Sequence, residues 1–293
     1  MEHFPVSLED YSGAYGLLSK KPPTTGVIFV HGFNGNPRGT WVDFEGLIEQ
    51  VGTQRSLWRE CDLLFYAYQS RDQVRPLAEQ FAGFLARVAT AKENTIIGSN
   101  YVLPSSEKFT LGVPADLSGS RGSEPYKNLI LVGHSTGAVI IREALRLMVA
   151  QTYEGGLNPL IVRSCLRFFA PAHLGVLAAG KLGLVQKLPI LDRIAGAYLG
   201  SNPLFKNLRH DSPTILDLRK ATEELYAKHK FPALKASSVF GQNEEIVFIG
   251  GYSHDEVLPT EPDHSHTTIC KPTLNYTKPL EFVINAFAIA KIA

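Results

Sequence analysis

The chain has 293 residues, with 29 lysines and arginines against 28 aspartates and glutamates, a formal net charge of +1. That balance supplies no global field to hold it on nucleic acid or an anionic membrane. Its 44% hydrophobic and 19% charged residues exclude a disordered chain. The length fits one large α/β domain with insertions, and residues 1–293 are expected to form it. Cys61, Cys165 and Cys270 lack CxxC spacing and read as reduced thiols rather than as a disulfide framework or zinc site. Met1 to Asp10 has no basic flank and no apolar run, so no secretory signal is expected and the reading is cytoplasmic.

In chain order, Gly26 to Val30 is a continuous apolar run of the kind that buries both faces in a central strand. A helix is expected from about Trp41 to Gln50. Leu63 to Tyr68 is a second strand, and Leu77, Phe81, Phe84, Leu85 and Val88 then fall on one face of a helix. Asn128 to Gly133 is a third strand, continued by an apolar-striped helix from Ala138 to Ala150. Leu166 to Ala170 and Ser237 to Phe240 are further strands, and Leu280 to Ile292 is a closing helix. Strands separated by helices predict a mostly parallel central sheet flanked by helices.

Two stretches break this rhythm. Residues 99–126 read as a long excursion, and approximately 171–233 as a lid or cap insertion. Leu174 to Gly200 is rich in leucine, alanine and glycine, but Lys181, Lys187, Pro189, Asp192 and Arg193 argue against a transmembrane segment.

Gly133-His134-Ser135-Thr136-Gly137 is a G-x-S-x-G motif set between an apolar strand and a helix. A serine at so sharp a turn is exposed for attack, with glycines on either side relieving crowding. The helix N-terminus faces any developing negative charge, making the Thr136 N–H a candidate oxyanion donor. Upstream, His31-Gly32-Phe33-Asn34-Gly35-Asn36-Pro37 follows the first buried strand, where glycines allow the backbone to approach a substrate oxygen.

The His-Gly-Phe turn, the elbow and their order resemble the α/β-hydrolase superfamily. More narrowly, Phe169-Ala170-Pro171-Ala172-His173-Leu174-Gly175 and His266-Thr267-Thr268-Ile269-Cys270-Lys271-Pro272 resemble segments of lipase-like serine esterases related to GPI inositol deacylases. The resemblance implies an α/β-hydrolase fold with Ser135 as nucleophile and a second oxyanion donor in the first loop, Phe33 N–H ahead of Asn34. It places the base well downstream of Ser135, at His266 by the H-x-x-I-C-K pattern, with His264 as the other choice. His134 and His173 read as structural.

The acid is expected after the strand Ser237 to Phe240, where Glu244 stands three residues past Gly241. Family members commonly carry aspartate there, and Glu245, Asp255 and Asp263 stay open as alternatives. No metal motif and no nucleotide-binding glycine pattern occurs, so neither metal nor cofactor is expected. The expected activity is hydrolysis of a carboxylic ester, the apolar lid suggesting a hydrophobic, lipid-like small-molecule substrate. Thioesterase, amidase or acyltransferase chemistry on the same triad, or a non-catalytic binding protein on this fold, are the alternatives.

Overall fold

The computed structural model describes residues 3–7, 13–19, 23–48, 58, 61–90, 126–151, 158–177 and 201–290. Apart from Tyr126, the excursion expected at 99–126 lies outside them, as do 178–200 of the expected lid.

The chain opens with β1 (His3–Ser7) and β2 (Tyr15–Ser19), then β3 (Thr25–Val30), α1 (Pro37–Ile48), β4 (Cys61–Tyr66) and α2 (Val74–Thr90). After these come β5 (Asn128–His134), α3 (Thr136–Gln151), α4 (Pro159–Val162) and β6 (Cys165–Phe169). The remainder contains α5 (Pro203–Asn207), α6 (Pro213–His229), β7 (Ala236–Val239), β8 (Gly241–Asn243), β9 (Glu256–Val257), β10 (Glu261–Ser265) and α7 (Lys278–Ala290).

Eight strands form one sheet in the order β1-β2-β4-β3-β5-β6-β7-β9. Every pair from β4 to β9 is parallel. The antiparallel β1–β2 hairpin, absent from the sequence expectation, extends the β4 edge. All six residues of β3 and of β4 are buried, Asp62 included, as strands in a doubly covered sheet should be.

The two faces have different partners. Phe29 and Phe169 point to one face, where they meet Trp41 and Phe44 of α1, and Phe169 meets Phe282 of α7. Tyr66 and Phe168 point to the other, against Phe81 and Phe84 of α2 and Arg142 of α3. With no exposure and aromatic partners on both sides, Phe29→Ala would cost about 3–5 kcal/mol. Within the segment expected to form a lid, α6 packs against α3 and buries Ile215, Leu218 and Thr222.

The strand order reverses at β3: β4 pairs on one side and β5 on the other. The connections leaving the carboxyl ends of β3 and β5 therefore diverge, opening the crevice where parallel α/β sheets place their ligands. The loop from His31 to Asn36 and the turn at Ser135 both lie there.

Candidate active site

Strand β5 ends at His134 and α3 begins at Thr136, so Ser135 alone makes the turn. Its φ of 52° lies in the left-handed region, strained for a residue with a side chain. A Cβ on Gly133 would sit 2.8 Å from the backbone of Ala138, and one on Gly137 would sit 2.3 Å from the Val30 carbonyl oxygen. No side chain fits at either place, which gives the G-x-S-x-G spacing its physical cause. The Ser135 N–H donates to the Phe169 carbonyl at 3.0 Å, fixing the turn to β6.

The loop after β3 closes directly over this turn, since a Cβ on Gly32 would meet Ser135 Cβ at 3.0 Å. His31 holds the loop's base: its ring stacks on Tyr68 at 4.3 Å, and its Nδ1–H donates to the Gly32 carbonyl at 2.8 Å. The other nitrogen accepts the Tyr68 N–H, and the Tyr68 hydroxyl donates to the His31 carbonyl. Burial pulls the His31 ring down to about 4, so it stays neutral and keeps this one-donor, one-acceptor arrangement. The Asn34 N–H is spent on Ser70 Oγ at 2.8 Å. Phe33 N–H has no partner among the described residues. Thr136 N–H opens α3 and has no intrahelical acceptor.

The residues expected as base and acid come from elsewhere. Strands β8 and β10 pair in a separate two-stranded parallel sheet with Ser265 opposite Asn243, so the next residue of each, His266 and Glu244, leave side by side. His266 Nδ1 lies 3.0 Å from both Glu244 oxygens. The carboxylate is fully buried, and its Oε1 also accepts the N–H groups of Ile246 and Val247 at 2.9 and 3.0 Å. With Nδ1–H committed to Glu244, Nε2 is the nitrogen available to the cavity.

The competing residues fall elsewhere. Glu245 and Asp263 are exposed, His264 stacks on Tyr276 at 3.6 Å, and Asp255 is buried against Arg142. His134 donates its Nε2–H to the His266 carbonyl at 2.8 Å, tying the elbow to the loop that carries His266. Burial and the neighbouring His266 lower the His134 ring to about 3. His173 accepts from Arg142 Nε at 3.2 Å and donates to the Gly250 carbonyl at 3.0 Å, its ring lowered to about 3 by burial and by Arg142.

Among solved structures, the chain is similar to the mature form of a lipase from Bacillus licheniformis, at 17% identity and TM-score 0.51, covering 89% of this chain and 90% of that one. It is similar also to esterase B from Lactobacillus rhamnosis inhibited by a tributyrin phosphonate, at 12% identity and TM-score 0.53, covering 99% and 87%. Phospholipase PlaB from Legionella pneumophila aligns at 16% identity and TM-score 0.52, over 92% of this chain and 63% of that one. The fold is that of an α/β-hydrolase. No family model matches the chain, and comparison with curated protein sequences finds no match. The narrower resemblance to relatives of GPI inositol deacylases therefore rests on sequence motifs alone.

The described residues line a cavity of about 260 Å³, onto which Ser135, Thr136, His266 and Phe33 all open. Val176, Phe205, Leu208 and Ile246 give it an apolar wall, while Asn36, Thr40, Thr267 and Lys271 are polar. Phe205 and Leu208 belong to the segment expected to form the lid, and Phe205 lies edge-on to Phe33 at 6.0 Å. Among the described residues, no group of three or more His, Cys, Asp or Glu side chains is placed to hold a metal ion, and no helix is long and apolar enough to cross a membrane. Sequence reasoning missed Ser70 and Tyr68 as supports of the first loop, for which no local pattern exists. It also passed over Lys271, although that residue stands in the quoted motif.

Proposed function

We propose that this α/β-hydrolase cleaves carboxylic esters with a hydrophobic acyl or alcohol part through an acyl-enzyme on Ser135. The observation that carries the reading is a left-handed serine at the head of α3 sharing one cavity with a histidine whose far nitrogen is held by a buried carboxylate. In this mechanism His266 Nε2 takes the Ser135 hydroxyl proton as Oγ attacks the ester carbonyl. The N–H groups of Phe33 and Thr136 hold the tetrahedral oxyanion. His266 then protonates the leaving alcohol, and water repeats the sequence on the acyl-enzyme. Glu244 fixes the tautomer and stabilises the imidazolium between the two transfers.

The apolar wall supports a hydrophobic substrate part, with the segment 171–233 acting as its lid. The three free, buried cysteines suit a reducing compartment such as the cytoplasm. The test is fluorophosphonate labelling read by mass spectrometry, with hydrolysis of matched 4-nitrophenyl ester, thioester and anilide substrates. Label is expected on Ser135, with the ester turned over fastest. Ser135→Ala should abolish labelling and lower ester turnover by about 10⁴-fold or more, with the melting temperature nearly unchanged. A folded wild-type protein that takes no label at Ser135 would overturn the reading.

A further inference from the structure

The cavity is asymmetric in charge as well as polarity. Lys271, five residues beyond His266, is half-buried and lines the same cavity as the reacting groups. Among the described residues it makes no ion pair with any carboxylate. Asp43 of α1 influences the Cys270 thiol, as Lys271 does, yet it forms no ion pair with Lys271. The lysine's charge also reaches the His134 ring, where it helps disfavour protonation. A second, independent group points the same way. Thr136 lines the cavity and is 1% exposed, and its buried hydroxyl has no hydrogen-bond partner among the described residues. It sits at the first residue of a 16-residue helix whose positive end favours negative charge.

An ammonium without a carboxylate partner among the described residues and an orphaned buried hydroxyl beside one cavity would both be matched by an added acceptor. A neutral ester supplies one developing oxyanion, which the Phe33 and Thr136 amides already serve, and leaves Lys271 unmatched. We propose that the site selects esters bearing a second anionic group, a carboxylate or a phosphate a few atoms from the scissile carbonyl, and that Lys271 is the residue that recognises it. The inference rests on the ester-hydrolase reading and narrows its substrate to an amphiphile: apolar toward Phe205 and Leu208, anionic toward Lys271. Ser135, His266 and Glu244 act on it as on any ester.

The experiment compares two matched pairs: 4-nitrophenyl monoglutarate against 4-nitrophenyl butyrate, and 1-butyrylglycerol 3-phosphate against 1-butyrylglycerol. The readout is the ratio of kcat/KM for the anionic member to that for the neutral one. In the wild type this ratio should exceed unity by about tenfold in at least one pair, the strength of one charge-assisted hydrogen bond, and the favoured pair identifies carboxylate or phosphate. Lys271→Met should remove the preference through KM, and Lys271→Arg should keep most of it. A ratio that Lys271→Met leaves unchanged in both pairs overturns the inference while the hydrolase reading stands. A calorimetric arm is independent of turnover: both anionic esters are titrated into Ser135→Ala and into Ser135→Ala combined with Lys271→Met. Weaker binding by about tenfold in the double variant supports the inference even if the wild type hydrolyses nothing, in which case it is the hydrolase reading that fails. Equal binding to the two overturns it.

Discussion

Two histidines of this molecule belong to buried polar networks that include a carboxylate, and they differ in what the second ring nitrogen meets. His266 is bound at Nδ1 by Glu244, while its other side opens on the cavity beside Ser135. His173 is engaged at both nitrogens, by Arg142 and by the Gly250 carbonyl. Arg142 in turn pairs with Asp255, donates to the Leu234 carbonyl at 3.3 Å and lies 4.2 Å over the Tyr252 ring. Asp255 also accepts the N–H groups of Ala236 and Tyr252 at 2.9 and 2.8 Å. Burial alone would raise the Asp255 carboxyl, but the charge and hydrogen bonds of Arg142 override it and hold it below the usual carboxylate range. Matching side chains thus serve two ends: a network closed on every side fastens β7 and the loop before β9 to α3, and one left open at a single nitrogen can move a proton.

If that contrast holds, damage to the open network should appear in turnover and damage to the closed one in stability. The largest effect is expected from Glu244→Gln. The carboxamide oxygen can keep the bonds to Ile246 and Val247, but its NH₂ group faces His266 Nδ1 and favours the wrong tautomer. Steady-state kinetics should show kcat falling about 10³–10⁴-fold with KM and melting temperature little changed. Asp255→Asn should do the reverse. Leaving Arg142 buried without its counter-charge should lower stability by about 3–5 kcal/mol in urea unfolding, while activity per folded molecule stays within about tenfold.

A pH titration of stability sharpens the comparison. The rings of His31, His134 and His173 lie at about 4, 3 and 3 when folded, below the ordinary 6.5, because burial disfavours their charged forms. The unfolded chain therefore binds protons first. Stability should be full above about pH 6.5 and decline as pH falls toward the folded values, by roughly 2 kcal/mol per ring between pH 7 and 5. His173→Gln should flatten this slope by about one ring's share. The smallest effect is reserved for Glu245→Gln: this exposed neighbour of Glu244 should change kcat by less than about twofold. A large loss there would move the acid by one residue.

Much of this was legible in the sequence wherever burial or sterics writes itself into residue type. Strands β3 to β6 are mostly apolar because both faces are covered, and Gly133 and Gly137 are glycines because backbone occupies the space of a side chain. The helix α6 left its mark as well, in a Ser212 N-cap accepting from the Ile215 N–H with Pro213 at the first helical position, a start signal passed over in favour of a lid. Strands β8 and β10 left none. Gly241-Gln242-Asn243 and Glu261-Pro262-Asp263-His264-Ser265 are short and mostly polar, so no hydrophobic alternation marks them, and only tertiary pairing makes them strands. In the sequence, Glu244 stands out only by its offset from Gly241 and by the resemblance, which puts an acid there. The contact between two distant loops that places it beside His266 has no one-dimensional signature.

That small sheet also bears on how such a site could be rebuilt. The large sheet delivers Ser135 and the loop after β3, whereas Glu244 and His266, the proposed acid and base, ride together on β8 and β10, clasped where a Cβ on Gly241 would lie 2.2 Å from the His264 carbonyl oxygen. The dyad is thus a cassette, adjustable in its own register without touching the elbow. An engineer replacing Glu244 with aspartate would face a gap of roughly 1.5 Å, the length of one carbon–carbon bond. The remedy lies in resetting the β8–β10 stagger, with Ser135 and its glycines untouched. Such an edit has no room for a side chain at Gly241.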